Sequence, residues 1–277
     1  MNILDPLLPR PFRIVKALKE SSDVFTLELV PESSSETDLS FLPGQFNMLY
    51  EFGAGEVPIS ISGAGSGGES FLHTIRAVGS VTDKMKKLKV NSVLGLRGPF
   101  GKAWPIEANK GKDVVLVAGG IGLAPLRPVI YHIMKFREQY GRVTLLYGAR
   151  TPKDILFKRE YSQWQKKSIA VEIAVDTADV AWEGNVGVVT KLVSRIELTP
   201  QDTVAMICGP EIMMRFVTEA LYEKGVDDSL MYVSMERNMQ CAVGFCGHCQ
   251  YGSQFICKDG PVYSFDQLKS VFLRKEF

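Results

Sequence analysis

Four of the chain's five cysteines stand close together near its C-terminal end: Cys241, Cys246, Cys249 and Cys257, spaced C-x4-C-x2-C-x7-C. A C-x4-C-x2-C…C run is the plant-type ligand spacing of a [2Fe-2S] cluster. Thiolates are soft ligands that can hold two irons and their bridging sulfides, and the small residues Ala242, Gly244 and Gly247 let the backbone fold tightly around such a core. Four thiolates also satisfy tetrahedral zinc, so a structural zinc site is the alternative. Zinc modules usually set their ligands as two separated C-x2-C-like pairs, whereas here three cysteines crowd into nine residues. A disulfide set is disfavoured by the leftover Cys208, which makes the count odd, and by the lack of a secretory context. His248 lies between two of the cysteines and reads as a surface residue, or as one that supports a neighbouring ligand, outside the ligand set.

A chain of 277 residues has room for two domains and a smaller part. Charged residues make up 23% and the formal net charge is +1, so no long-range field recruits nucleic acid or an anionic membrane. The N-terminal Met1 to Phe12 lacks the basic-then-apolar order of a signal peptide. The most apolar run, Val114 to Leu126, is 13 residues long and broken by three glycines, too short to span a bilayer. These features predict a cytoplasmic protein, in a reducing compartment where thiolates remain available to iron, with no nucleic-acid partner and no direct membrane insertion.

From Pro11 to about Pro105, β-branched and aromatic runs alternate with turn clusters: Arg13 to Leu18, Val24 to Val30, Phe46 to Phe52, Phe71 to Val78 and Val93 to Arg97. Five or six strands at this spacing predict a small antiparallel barrel. After Lys110 the period changes. Asp113 to Ala118, Arg142 to Gly148, Ile169 to Val175 and Thr203 to Cys208 read as strands buried on both faces. They alternate with helical patterns at Ala124 to Gln139, Lys153 to Lys167, Val188 to Ile196 and Glu211 to Lys224. Repeated β-then-α predicts a parallel sheet covered by helices. The expected organisation is a barrel over 8–108, an α/β domain over 109–232 and a cluster-binding segment over 233–277.

Three further stretches carry candidate chemistry. The strand ending at Ala118 runs into Gly119-Gly120-Ile121-Gly122-Leu123-Ala124-Pro125 and then a helix. Glycines permit close approach of a pyrophosphate, and a helix N-terminus offers free N–H groups; the alternative is a tight strand-to-helix turn without a ligand. The run departs from a G-x-G-x-x-G dinucleotide fingerprint, because Pro125 stands at the third glycine and the second strand ends Tyr147-Gly148-Ala149-Arg150 with no acid. Cys208-Gly209-Pro210 ends a later strand, and the carboxyl ends of parallel strands should bring it to the same crevice as the Gly119 loop. Cys208 taken alone is either a small buried thiol or a reactive one. In the barrel, Val57-Pro58-Ile59-Ser60-Ile61-Ser62 and Gly79-Ser80-Val81-Thr82 are core strand with hydroxyl turns, or a cofactor site in which a short helix from Val81 to Leu88 holds a pyrophosphate.

The order of these parts, P-I-S-I, G-x-V-T, G-G-x-G-x-A-P, C-G-P and C-x4-C-x2-C…C-K-D-G-P-V, resembles the ferredoxin-NADP reductase superfamily over about Pro11 to Phe265. Within it, the chain looks most like the flavin and iron-sulfur subunits of multisubunit enzymes: the gamma subunit of NAD(P)-linked nickel-iron hydrogenases (sulfhydrogenases), the B subunit of anaerobic sulfite reductase, and the electron-transfer subunit of dihydroorotate dehydrogenase. The resemblance implies an oxidoreductase with FAD in the barrel, NAD(P)H in the parallel-sheet domain and a [2Fe-2S] cluster on Cys241, Cys246, Cys249 and Cys257. Its partners would be subunits that carry the terminal catalytic site and further iron-sulfur clusters. It implies that Ser60 approaches the flavin ring with Pro58 and Ile59 packed along it, and that Gly79 and Thr82 hold the flavin's pyrophosphate. Gly119, Gly120 and Gly122 would take the dinucleotide pyrophosphate, and Cys208 and Gly209 would sit beside the nicotinamide. Apart from the resemblance, Arg150 and Lys158 lie after the second parallel strand, where they either meet a 2′-phosphate or are ordinary surface charges. Two departures stand out. Val57 and Ile59 replace the arginine and aromatic of the usual R-x-[YF]-[ST] flavin motif, which makes Arg76 the expected source of phosphate-pairing charge. Ala242 replaces the glycine often found after the first cluster cysteine, a change small enough to predict little consequence.

Overall fold

In the computed structural model, which describes residues 5–33, 39–65 and 68–272, the period-two stretches of the first part of the chain close on themselves. Strands β1 (Arg10–Lys19), β2 (Val24–Pro31), β3 (Phe46–Glu51), β4 (Gly55–Ala64), β5 (Phe71–Arg76) and β6 (Val93–Phe100) form an antiparallel barrel in the order β1-β2-β5-β4-β3-β6. Closure leaves each strand with neighbours on both sides over most of its length, and the inward residues Phe12, Leu29, Leu49, Ile61, Ile75 and Leu96 form an apolar centre at 1% exposure or less. A six-residue helix, α1 (Ser80–Met85), follows β5.

The strand β4 is longer than its sequence suggests, and it is unevenly paired. Gly55 to Ser60 pair with β3, from Glu51↔Gly55 to Phe46↔Ser60, but pairing with β5 begins only at Ile61↔His73. The stretch Val57–Ser60 therefore lacks a strand neighbour on its β5 side. Pro58, which has no N–H to donate, fits a strand at such a place.

The second part of the chain has continuous apolar strands because both faces are covered by helices. Strands β7 (Asp113–Gly119), β8 (Val143–Ala149), β9 (Ile169–Val175), β10 (Asn185–Val186), β11 (Thr203–Cys208) and β12 (Met231–Ser234) run parallel. They alternate with α2 (Leu123–Lys135), α3 (Tyr161–Lys166), α4 (Thr190–Arg195) and α5 (Glu211–Glu223). The helix expected over Lys153 to Lys167 is confined to its last part, since Ile155, Leu156 and Phe157 are buried in succession, a pattern no helical face can supply.

After β12 come a two-stranded hairpin, β13 (Gln250–Tyr251) and β14 (Gln254–Phe255), a helical turn, α6 (Ile256–Asp259), then β15 (Val262–Ser264) and α7 (Phe265–Phe272). Strand β15 returns antiparallel to β12 and completes the order β10-β9-β8-β7-β11-β12-β15. Chain order reverses between β7 and β11, the switch point at whose carboxyl ends such sheets bind ligands.

The chain divides into two units: the barrel unit runs through Ala103 and takes in Glu236–Pro261, and the sheet unit comprises Trp104–Met235 and resumes at Val262. The stretch read from sequence as one segment over 233–277 is thus shared between them. The cysteine loop belongs with the barrel, while β15 and the buried Phe265, Leu268 and Phe272 belong with the sheet. No helix of the described residues is long and apolar enough to cross a membrane.

Candidate cofactor and cluster sites

Between Cys241 and Cys249 the cysteine loop turns three times through the left-handed region: φ is +64° at Ala242, +73° at Gly244 and +79° at Gly247. These turns aim backbone N–H groups at the thiols. Phe245 and Cys246 donate to Cys241 Sγ at 3.3 and 3.4 Å, Gly244 to Cys257 Sγ at 3.2 Å, and Cys257 to Cys249 Sγ at 3.5 Å. Such donors stabilise thiolate charge, and the pattern fits a ligand loop for an iron-sulfur core. Ala242 is not the neutral replacement expected: its left-handed backbone, which glycine adopts freely, costs an alanine on the order of 1 kcal/mol. The backbone N–H of His248 is the main influence that pushes the Cys246 thiol down. For Cys241, burial pushes up, but the N–H groups of Cys246, Val243 and Phe245 outweigh it. Cys257 is pushed up to about 12, chiefly by burial and then by the Cys249 thiol. His248 is exposed, as its position between ligands suggested.

In the barrel, Val57 and Ile59 pack against the apolar centre, so Ile59, expected along a cofactor, lies on the core side of β4. Pro58 and Ser60 fall on the opposite face by the period of the strand. The carbonyl of Ser60 accepts a hydrogen bond from His73 Nδ1 at 3.1 Å, and His73 Nε2 lies 3.1 Å from Asn47 Nδ2, which requires the Nδ1–H tautomer. Burial pushes His73 down to about 4, so the ring is neutral. Neither His73 nor Asn47 was singled out from sequence, where each stands among mixed polar and apolar strand residues.

The Thr82 hydroxyl accepts from the N–H groups of Val78 and Gly79, both at 3.1 Å, and donates to the Gly79 carbonyl at 3.0 Å. It builds the turn that was expected to hold a pyrophosphate. A Cβ placed on Gly79 would meet nothing within 4 Å, so the space over this turn is open. Arg76 Nε lies 3.4 Å from Asp23 Oδ2 but has no hydrogen-bond partner among the described residues. An unladdered strand edge, an open glycine turn and an unsatisfied guanidinium nitrogen in one unit fit a flavin ring with its pyrophosphate.

At the carboxyl end of β7, Gly119 leads into a 3-10 turn, Gly120–Gly122, and then α2, whose start no side chain caps. Gly120 has φ +54°, and its carbonyl accepts from the Tyr147 hydroxyl at 3.1 Å. A Cβ on Gly122 would lie 2.2 Å from the Cys208 carbonyl oxygen and 2.7 Å from Gly209 N. One on Gly119 would lie 2.4 Å from Met213 Sδ, and one on Gly209 2.9 Å from Gly119 N. The two loops therefore pack backbone to backbone. Gly122 and Gly209 are needed for that contact, Gly119 makes room for the Met213 side chain and Gly120 takes a left-handed turn, while the uncapped start of α2 remains suited to an anion. Cys208 is a buried thiol outside any disulfide, and Arg150 is exposed just beyond β8.

Residues 116–219 match the oxidoreductase NAD-binding domain, and residues 236–269 match the iron-sulfur cluster binding domain of dihydroorotate dehydrogenase B. The gamma subunit of sulfhydrogenase 1 from Pyrococcus furiosus is 35% identical over 264 residues, covering 93% of this chain and 90% of its own. The chain belongs to the ferredoxin-NADP reductase superfamily of electron-transfer subunits. A probable dihydroorotate dehydrogenase B electron transfer subunit from Methanocaldococcus jannaschii is 34% identical, covering 94% of this chain and 91% of its own. Among solved structures, an NADH-dependent reduced ferredoxin-NADP oxidoreductase superposes with a TM-score of 0.76 at 26% identity, covering 96% of this chain and 94% of that one. The cytochrome b5 reductase domain of Ulva prolifera nitrate reductase shares the fold, with a TM-score of 0.69 at 18% identity over 84% of this chain and 99% of that one. In this family the sheet unit is the nicotinamide-binding domain, and the cysteine loop is an iron-sulfur site; the zinc alternative falls away.

Proposed function

We propose that this chain passes electrons between NAD(P)H, FAD and a [2Fe-2S] cluster, to or from a cytoplasmic partner subunit with the terminal catalytic site and further iron-sulfur clusters. Its kinship with sulfhydrogenase gamma subunits supports a hydrogenase as that partner enzyme, and an anaerobic sulfite reductase rests on the sequence resemblance alone. FAD, when bound, supplies the exchange between a two-electron hydride and the single electrons of a cluster.

The chain's own residues divide the work by unit. Cys241, Cys246, Cys249 and Cys257 are the ligands of the cluster. Pro58 and Ser60 present the open face of β4 to the flavin, with Ile59 behind them. Arg76 and the backbone at Gly79 meet the flavin's phosphates, on a turn held by Thr82. The Gly119–Gly122 loop and the start of α2 take the dinucleotide pyrophosphate, Cys208 and Gly209 flank the nicotinamide, and Arg150 reaches toward its ribose. Hydride exchange requires no acid-base pair, and these residues orient and exclude water instead. A dihydroorotate dehydrogenase partner is the second reading, favoured by relatives at 34% identity. The seven-residue spacing from Cys249 to Cys257 and the Cys-Gly-His-Cys string favour the first.

The observation that carries the proposal is the cysteine loop, whose left-handed turns aim N–H groups at three of the four thiols. Anaerobically purified Cys246→Ser protein should lose cluster iron and its visible absorbance while NAD(P)H-linked bleaching of bound flavin persists. Full iron retention would refute the ligand assignment, and a wild-type protein without flavin or cluster absorbance would refute the function.

A further inference from the structure

Arg97, on β6, is 4% exposed and uses every N–H of its guanidinium within the barrel unit. Nε donates to Glu56 Oε1 at 2.7 Å and Nη2 to Glu56 Oε2 at 2.6 Å, a bidentate fork. Nη2 also donates to the Gln240 carbonyl at 3.0 Å, and Nη1 donates to the carbonyls of Cys241 and Pro6, each at 2.9 Å. Five donors thus meet five acceptors. Burying a charge is unfavourable unless it is paired and hydrogen-bonded, and an apolar pair would stabilise the barrel as well or better. What this arrangement adds is direction. Glu56 fixes the plane of the guanidinium, and the opposite edge grips the backbone at the first cluster cysteine. Glu56 directly precedes the Val57–Ser60 stretch assigned to the flavin, so one ion pair joins that strand to the entrance of the cysteine loop.

We propose that Arg97, oriented by Glu56, is a positioning residue for the iron-sulfur cluster that also biases its reduction. The inference rests on the cluster assignment made above. Arg97 holds Gln240 and Cys241 at the loop entrance and sets a fixed positive charge beside the backbone of a ligand. A reduced cluster is one charge more negative, so the cation favours the reduced form and the carboxylate opposes it.

The experiment uses the full-length, cluster-loaded chain and three variants, Arg97→Gln, Arg97→Lys and Glu56→Gln. Midpoint potential is followed by electron paramagnetic resonance in a redox titration, and iron release by a colorimetric chelator. Arg97→Gln should shift the potential down and Glu56→Gln should shift it up, because one removes the cation and the other its counter-charge. Iron release from Arg97→Gln should quicken about ten-fold, as loss of a partner that orients a metal ligand does. Arg97→Lys should recover part of the potential but not the iron retention, since an ammonium cannot grip both Glu56 and the two carbonyls. Potentials that stay unchanged, or that move in the same direction in Arg97→Gln and Glu56→Gln, would overturn the electrostatic role, and unchanged iron release would overturn the positioning role. Should Arg97→Gln fail to fold, Glu56→Gln decides by the sign of its shift. A wild-type chain with no cluster signal would instead overturn the function proposed above.

Discussion

A methyl group added at Gly122 should unseat the paired loops of the sheet unit. It would stand 2.2 Å from the Cys208 carbonyl oxygen, where ordinary contact begins at 3.4 Å, so the Cys208–Gly209 peptide must retreat by the difference, 1.2 Å. That peptide closes a strand whose ladder to β7 runs from Thr203↔Asp113 to Cys208↔Ala118, so the retreat breaks the last rung. Overpacking costs about 1–3 kcal/mol and the lost hydrogen bond about 1 kcal/mol more, or roughly 3 kcal/mol together. For a unit of this size that is a fall in Tm of about 10 °C. Trp104, Trp164 and Trp182, the chain's three tryptophans, all lie in the sheet unit, so their fluorescence follows this unit and not the barrel. Gly79→Ala is the control, because nothing lies within 4 Å of the new Cβ; its stability should stay within about 0.5 kcal/mol of wild type while FAD retention falls. A Gly122→Ala protein whose tryptophan transition matches wild type would show that the close packing of the loops does not require glycine there.

Two other expectations concern the barrel. His73 takes up a proton only near pH 4 when folded but near 6.5 when unfolded, so its contribution is intact above 6.5 and about 3 kcal/mol of barrel stability is lost as pH falls toward 4. With three histidines in the chain, ring resonances can be followed singly; a His73 resonance titrating near 6.5 in folded protein would refute the assignment. Arg76→Ala should weaken FAD binding by about one to two decades, as loss of a charge-assisted phosphate contact does, while Val57→Ala leaves affinity nearly unchanged. Equal affinities in equilibrium dialysis would mean that the Gly79 turn holds the phosphates without Arg76.

Much of this architecture is legible in the sequence where chemistry restricts residue type. Cluster ligands must be cysteines at set spacing, so the loop from Cys241 to Cys257 is visible at once. The strands from Asp113 to Cys208 are visible because burial on both faces leaves them continuously apolar. Short strands escape this reading: β10, β12 and β15 have two to four residues each, too few to show a period. Pairing partners are also hidden. Arg97 lies 41 residues from Glu56 and 144 from Cys241, and nothing local in Leu-Arg-Gly-Pro announces either contact. Glycine marks the loops at Gly119 and Gly209 but not its reason, since packing of one loop on another and approach of a ligand demand the same absent side chain. At Ile59 the sequence shows the residue type but not its face: the resemblance puts it along a cofactor, and the strand period packs it against the barrel's apolar centre.

The antiparallel pairing of β12 with β15 has a consequence for how such chains diversify. Tyr232↔Ser264, Val233↔Tyr263 and Ser234↔Val262 clasp the two ends of the cysteine-bearing excursion side by side, so the sheet's register is set outside it. The entropy of closing a loop grows only slowly with length, about 0.6 kcal/mol for each doubling. Evolution can therefore lengthen, shorten or exchange the metal-bearing excursion without re-registering the nucleotide-binding sheet that it interrupts in sequence. A single reductase scaffold can in this way be refitted to different acceptors by changing only what lies between two neighbouring strands.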